Sequence, residues 1–88
     1  MADTFLLEVA TPERLLVNEQ VSEAQIPAAN GYLGILPGHA PLLAELGAGE
    51  LSYAVAGRRR TLKIDGGWLE ICADRARVLT NTAEKVGE

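Results

Sequence analysis

The stretch Gly31-Tyr32-Leu33-Gly34-Ile35-Leu36-Pro37-Gly38-His39-Ala40-Pro41-Leu42-Leu43 decides the architecture of this chain. It sets glycines and prolines around strand-like apolar residues and carries the only histidine of the protein at its tip. Pro37 fixes φ and has no N–H to give to a sheet ladder. Gly38 takes a positive φ at little cost. Pro41 drives Ala40 towards an extended backbone. The segment therefore reads as a stiff, shaped loop between two strands that presents His39, either to a partner or at an unusual corner of the fold.

Outward from this loop, apolar residues recur with a period of two. Phe5, Leu7 and Val9 alternate with Leu6, Glu8 and Ala10, and Leu51, Tyr53 and Val55 with Ser52, Ala54 and Ala56. Leu15 and Val17, Ala24 and Ile26, Leu33 and Ile35, Leu62 and Ile64, and Leu69 and Ile71 continue the pattern, and Val78 sits between Arg77 and Leu79. That period marks half-buried strands. Turn residues punctuate them at Thr11-Pro12-Glu13, Ala29-Asn30-Gly31, Gly47-Ala48-Gly49, Ala56-Gly57-Arg58, Asp65-Gly66-Gly67 and Ala73-Asp74-Arg75. The pattern predicts an all-β fold, a small antiparallel sandwich or flattened barrel of about nine or ten short strands. Phe5-Leu6-Leu7 and Pro41-Leu42-Leu43 are apolar on both faces, so one outer sheet face is expected to meet a partner. Asn81-Thr82-Ala83-Glu84 has the spacing of a capping box and predicts a helix start. The expected division is a sandwich over 1–82 and a tail over 83–88 that opens a helical region.

Eighty-eight residues make one small domain, which buries only about 60–65% of its unfolded surface. With four aromatic side chains (Phe5, Tyr32, Tyr53, Trp68), the core must be mainly aliphatic. A net charge of −4 argues against an electrostatic grip on nucleic acid or on an anionic lipid surface. Cys72 is alone, so no internal disulfide forms. No apolar run approaches the roughly 20 residues of a membrane helix, and no secretory signal is legible at the N-terminus. Any membrane association is expected to come through another protein.

Chemistry-bearing residues are sparse. One His and one Cys, without HxxxH or CxxC spacing, nominate no catalytic set, no metal site and no cofactor. Two readings of His39 stand: a structural loop residue, or a partner contact. Cys72 reads as a small packed hydrophobe. Trp68 shares a face with Glu70 and Cys72 and reads either as an outward anchor for a partner or as a core residue. Arg58-Arg59-Arg60 reads as a solvated, charge-protected edge, or as a contact for acidic groups on a partner or for lipid headgroups. Gly66-Gly67 is most simply a tight turn and lacks the strand–GxGxxG–helix setting of a phosphate loop.

Three blocks together resemble a known family. Phe5-Leu-Leu-Glu-Val-Ala-Thr-Pro-Glu-Arg14, Gly31 to Leu43 with Gly49-Glu50-Leu51, and Gly66-Gly-Trp-Leu-Glu-Ile71 followed by Val78-Leu-Thr-Asn-Thr-Ala-Glu84 resemble the N-terminal β-sandwich of the epsilon subunit of bacterial F-type ATP synthases, called delta in mitochondria. The resemblance implies a non-catalytic subunit of the rotating central stalk. Such a subunit packs on gamma and rests on the polar loops of the membrane c-ring, at the cytoplasmic face of the bacterial membrane. It implies a c-ring-side contact through Tyr32, Pro37, Gly38, His39, Ala40 and Pro41. Trp68, Leu42 and Leu43 are the candidates for gamma. Tyr32 departs from the acidic residue some members carry there, so packing or a hydroxyl hydrogen bond would replace a salt link. Asn81 stands where the family commonly has Asp. The family's C-terminal helical hairpin has no counterpart in these 88 residues, so its inhibitory and ATP-binding roles do not carry over. Two competing readings remain from other classes: a free-standing β-sandwich that binds a small ligand or peptide in a polar pocket, and a small hydrolase or isomerase, for which no pair of titratable groups can be nominated.

Overall fold

The computed structural model describes residues 3–86 and builds them from ten strands. In chain order these are β1 Phe5–Ala10, β2 Leu15–Val21, β3 Glu23–Ala28, β4 Gly31–Ile35, β5 Leu42–Glu45, β6 Ala48–Val55, β7 Arg58–Asp65, β8 Trp68–Cys72, β9 Arg75–Leu79 and β10 Ala83–Val86. They form two five-stranded sheets, β2-β1-β9-β8-β5 and β10-β7-β6-β3-β4. The sandwich expected from the period-two pattern is thus the observed fold. One feature departs from a purely antiparallel design: β1 runs parallel to β9, with Leu7 opposite Ala76 and Val9 opposite Val78. Two sequence-distant segments pair there, and no local signal marks their direction.

Alternation places the core. Phe5, Leu7 and Val9 point inward from β1, Leu51 and Tyr53 from β6, Leu62 and Ile64 from β7, and Leu69 and Ile71 from β8. Ala24, Ile26 and Ile35 complete the facing layer. Such a core, interdigitated at close-packed density, is stiff for its size.

Two hairpins close with two-residue loops, Ala56-Gly57 between the paired Val55 and Arg58, and Ala73-Asp74 between the paired Cys72 and Arg75. All four loop residues have positive φ, from 50° to 80°. That is the type I′ geometry that matches the twist of the flanking strands.

Three of the chain's passages between the sheets, β5 to β6, β7 to β8 and β9 to β10, meet at one crowded corner. Leu46 N–H donates to Gly67 O at 2.8 Å, Gly47 N–H to Pro27 O at 2.9 Å and Gly66 N–H to Gly47 O at 3.1 Å. Thr80, buried among these turns, donates its hydroxyl to Gly66 O at 2.6 Å and its N–H to Ala10 O at 3.0 Å. Gly66-Gly67 is therefore a turn, as expected, and also a point of close backbone approach.

Two expectations fail. No helix starts at Asn81–Glu84. Ala83–Val86 instead forms β10, antiparallel to β7, with Ala83 opposite Ile64 and Val86 opposite Thr61. The uncovered edge of β7 offers these residues ladder hydrogen bonds and a partly buried seat for Ala83, which outweigh a local capping preference. The sandwich thus continues past residue 82, and the remainder of the expected tail, 87–88, lies outside the described residues. Cys72 is the second: it is exposed, because Leu69 and Ile71 take the inward positions of β8.

Candidate functional site

The loop singled out by its sequence spans the gap between β4 and β5. Ile35, 1% exposed, anchors its entry, and Leu42, paired with Ile71 and packed against the core, anchors its exit. Between them, His39 N–H donates to Leu36 O at 3.2 Å across Pro37-Gly38, and Gly38 has φ +82°. Proline first and a positive-φ glycine second make this a type II turn. A second tie comes from far along the chain: Gly38 N–H donates to the Asp74 carboxylate at 2.9 Å. The His39 Nδ1 lies 2.7 Å from Ala40 O, and since a carbonyl oxygen only accepts, Nδ1 is the donor. Leu36, Gly38, Ala40 and Pro41 are exposed, while Pro37 and His39 are half-buried. The loop is a fixed ridge with an apolar crest.

Asp74 is the residue that sequence reading missed here. Its turn was legible, but its carboxylate acts on an amide 36 positions away. Replacing Asp74 with Ala should raise the deuterium exchange rate of the Gly38 amide about tenfold, the local equivalent of one lost hydrogen bond. Asp74→Asn, which keeps an oxygen acceptor and tolerates positive φ, should leave it nearly unchanged. Equal exchange in wild type and Asp74→Ala would show that the turn holds itself.

Tyr32 is set apart from this ridge. It lies three residues before Ile35, about 10 Å back along β4. It projects from the outer face of its sheet, 58% exposed, opposite Pro27 of β3. Its hydroxyl accepts the Glu50 N–H at 3.0 Å. Gly49 makes room for it: a Cβ there would stand 2.6 Å from the Tyr32 hydroxyl oxygen. Tyr32 is thus locked across β3 onto β6, with its hydroxyl proton still free to donate outward.

The second surface is the outer face of the β2-β1-β9-β8-β5 sheet. Strand register arranges it in rows. Leu15, Ala10, Leu79 and Trp68 stand side by side across four strands, ending at Glu45 on β5. Leu15, Leu79 and Trp68 are each about half exposed (51%, 50% and 52%). The next row is charged: Glu8 lies between Arg77 and Asn18, and Glu70 separates Arg77 from Leu43. Arg77 Nε approaches Glu8 Oε1 at 3.3 Å and Arg75 Nε does so at 4.0 Å. Pairs this exposed contribute roughly 0–1 kcal/mol and serve chiefly to orient the side chains. Leu43, 69% exposed, is the apolar flank on the edge strand. Of the three candidates for this surface, Trp68 and Leu43 face outward, whereas Leu42 packs inward. The two readings of Trp68 resolve in favour of an outward residue.

No cluster of three or more His, Cys, Asp or Glu side chains that could hold a metal occurs among the described residues.

The sequence model for the ATP synthase delta/epsilon chain β-sandwich domain matches residues 4–86. The chain belongs to this family. It is 59% identical over 88 residues to the ATP synthase epsilon chain of Solibacter usitatus, covering all of this chain and 66% of that one. It is 47% identical to the epsilon chain of Koribacter versatilis, covering all of this chain and 62% of that one. It therefore spans just under two thirds of the length of these relatives. Among solved structures, a chain of the Euglena gracilis mitochondrial ATP synthase (OSCP/F1/c-ring, rotational state 1) superposes with a TM-score of 0.90 at 20% identity. That match covers 97% of this chain and 55% of the other. A chain of the Tetrahymena thermophila mitochondrial ATP synthase central stalk and c-ring gives a TM-score of 0.75 at 18% identity. At these identities the superpositions establish the fold. In this delta/epsilon-type sandwich, the three blocks of family-like sequence fall on β1, on the β4–β5 ridge with the start of β6, and on the β7–β8 corner running through β9 to β10. These are the elements that shape both surfaces.

Proposed function

We propose that this domain is a non-catalytic part of the rotating central stalk of a bacterial proton-translocating F-type ATP synthase, coupling c-ring rotation through gamma to ATP synthesis. The observation that carries this reading is the match of residues 4–86 to the delta/epsilon sandwich family. The physics agrees with it. A torque-bearing spacer needs a stiff body and two fixed grips and no reactive group, and the interlocked aliphatic core supplies the stiffness. The ridge Pro37–Pro41, with Tyr32 on the neighbouring sheet face, is the contact for the polar loops of the c-ring. The apolar row of Leu15, Leu79 and Trp68, flanked by Leu43, is the contact for gamma, where an aromatic anchor beside aliphatic neighbours fits a permanent interface. In this reading the domain works at the cytoplasmic face of the cell membrane, is held there by the complex, and holds no cofactor of its own.

The test is binding to the gamma subunit. The protein should co-purify with gamma and bind it in solution, with a change in Trp68 fluorescence. Trp68→Ala should weaken that binding by at least about tenfold, the effect of losing a hot-spot aromatic, while leaving the melting temperature nearly unchanged. A protein that neither co-purifies with gamma nor binds it would overturn the proposal.

A further inference from the structure

Half of the basic residues of this acidic protein line one hollow. Arg58, Arg59, Arg60 and Lys85, out of eight Lys and Arg in all, border a depression of about 520 Å³ together with Tyr53 and Thr61. Register explains the convergence. Arg58 and Arg60 are two apart on β7 and share a face, Arg60 lies opposite Tyr53 of β6, and Lys85 of β10 lies opposite Leu62 on that same face. β10 pairs with β7 only over Thr61–Ile64, which leaves the edge at Arg58–Arg60 without a strand beside it among the described residues. Arg59 turns the other way and is occupied, with one guanidinium nitrogen 2.7 Å from Glu23 and another 2.9 Å from the Ser52 hydroxyl. Among the described residues no acidic side chain lines the hollow, although the Glu19 carboxylate of β2 lies near enough to act on Tyr53. Among the described residues the ion pairs involve Arg59, Arg75 and Arg77, and none involves Arg58, Arg60 or Lys85. The Tyr53 hydroxyl stays protonated at neutral pH: burial raises its pKa, nearby Glu19 adds to the rise and Arg60 opposes it.

Three like charges held at one edge repel one another, a repulsion that the single carboxylate of Glu19 near Tyr53 offsets only in part, and a solvated edge does not require them to converge on one face. We propose that Arg58, Arg60 and Lys85, with the Tyr53 side, form a binding site for a phosphate-bearing anion. Guanidinium forks match phosphate oxygens two at a time, and the lysine adds a point charge. The ligand is a phosphate group, carried either by a small soluble anion or by an anionic lipid headgroup.

Titrating the ¹⁵N-labelled protein with inorganic phosphate, at ionic strength matched with chloride, tests the first source. Sedimentation with phosphatidylcholine vesicles, with and without phosphatidylglycerol, tests the second. Arg60→Gln should weaken whichever binding is seen by about tenfold, the effect of losing one charge-assisted fork. Lys63→Ala removes an equal charge three residues away on β7, outside the hollow, and should change it less than about twofold. Arg58→Gln serves as the second variant if Arg60→Gln lowers the melting temperature. Saturable phosphate shifts at residues 58–61 without vesicle binding assign a soluble anion. Phosphatidylglycerol-dependent sedimentation assigns a headgroup. Non-saturating shifts matched by chloride together with no vesicle binding, or equal effects of the Arg60 and Lys63 substitutions, overturn the site. None of these outcomes depends on whether gamma binds.

Discussion

Gly67→Ala should destabilise the domain by at least about 3 kcal/mol. Two effects add. Gly67 has φ +111°, well beyond the +50 to +70° that an L-residue reaches in the left-handed region, which costs of order 1–3 kcal/mol. A Cβ at this position would also collide with the Leu79 carbonyl oxygen and stand 2.7 Å from Thr80 Cα. Both are backbone atoms, so relief requires moving the end of β9, and with it the Thr80 hydroxyl that satisfies Gly66 O. For a domain of this size each 1 kcal/mol shifts the melting temperature by roughly 4–8 °C, so a fall of more than about 12 °C is expected. Neighbouring glycines isolate the cause. Gly57 also has positive φ, +80°, but nothing lies within 4 Å of its would-be Cβ, and Gly66→Ala meets only the Asn81 side chain at 3.0 Å. Both substitutions should cost about 1 kcal/mol. If Gly67→Ala melts within a few degrees of these two, the close-approach argument is wrong.

Much of this architecture could be read before any coordinates. β1, β6, β7 and β8 alternate cleanly because one face meets the opposing sheet and the other meets solvent or a partner, and that contrast leaves a period of two. The shaped loop was legible because Pro37 and Gly38 restrict the backbone locally. Features made by distant segments were not. The parallel β1–β9 pair, the Asp74–Gly38 tie and the Thr80 staple join positions with no common local signature. The capping box at Asn81–Glu84 is a local signal for a helix start, whereas the strand edge that captures β10 is a property of the finished sheet. Cys72 differs: its place one step from Ile71 in the alternation of β8 puts it outside, against the burial that cysteine shows on average.

The candidate surfaces divide the same way. That the Pro37–Pro41 segment would be presented follows from its own stiffness. That Trp68, Leu79 and Leu15 form one row follows only from register, because they come from β8, β9 and β2 with β1 between. The same is true of the basic hollow. Arg58-Arg59-Arg60 is conspicuous as a run, yet its grouping depends on strand parity, which sends Arg59 to Glu23 and leaves Arg58 and Arg60 to converge with Lys85.

Leu69→Ala should cost about 2–5 kcal/mol, which could unfold a domain whose total stability is expected to be roughly 4–13 kcal/mol. Leu69 is fully buried on β8, opposite Val78 of β9 and Ala44 of β5. Small Ala44 cannot fill the space that truncation leaves, and the ladder on both sides holds β8 from collapsing inward, so the cavity term should be near its upper range. The adjacent outward position provides the control. Leu79→Ala removes the same atoms from a side chain that is 50% exposed, opposite Trp68, and should cost under about 1 kcal/mol. Urea unfolding of the two variants measures the difference, provided the slope m stays constant. The pair also separates folding from function, because Leu79→Ala should retain the fold and lose affinity for gamma. A Leu79→Ala variant as unstable as Leu69→Ala would place the apolar row inside the structural core and remove it as a docking face.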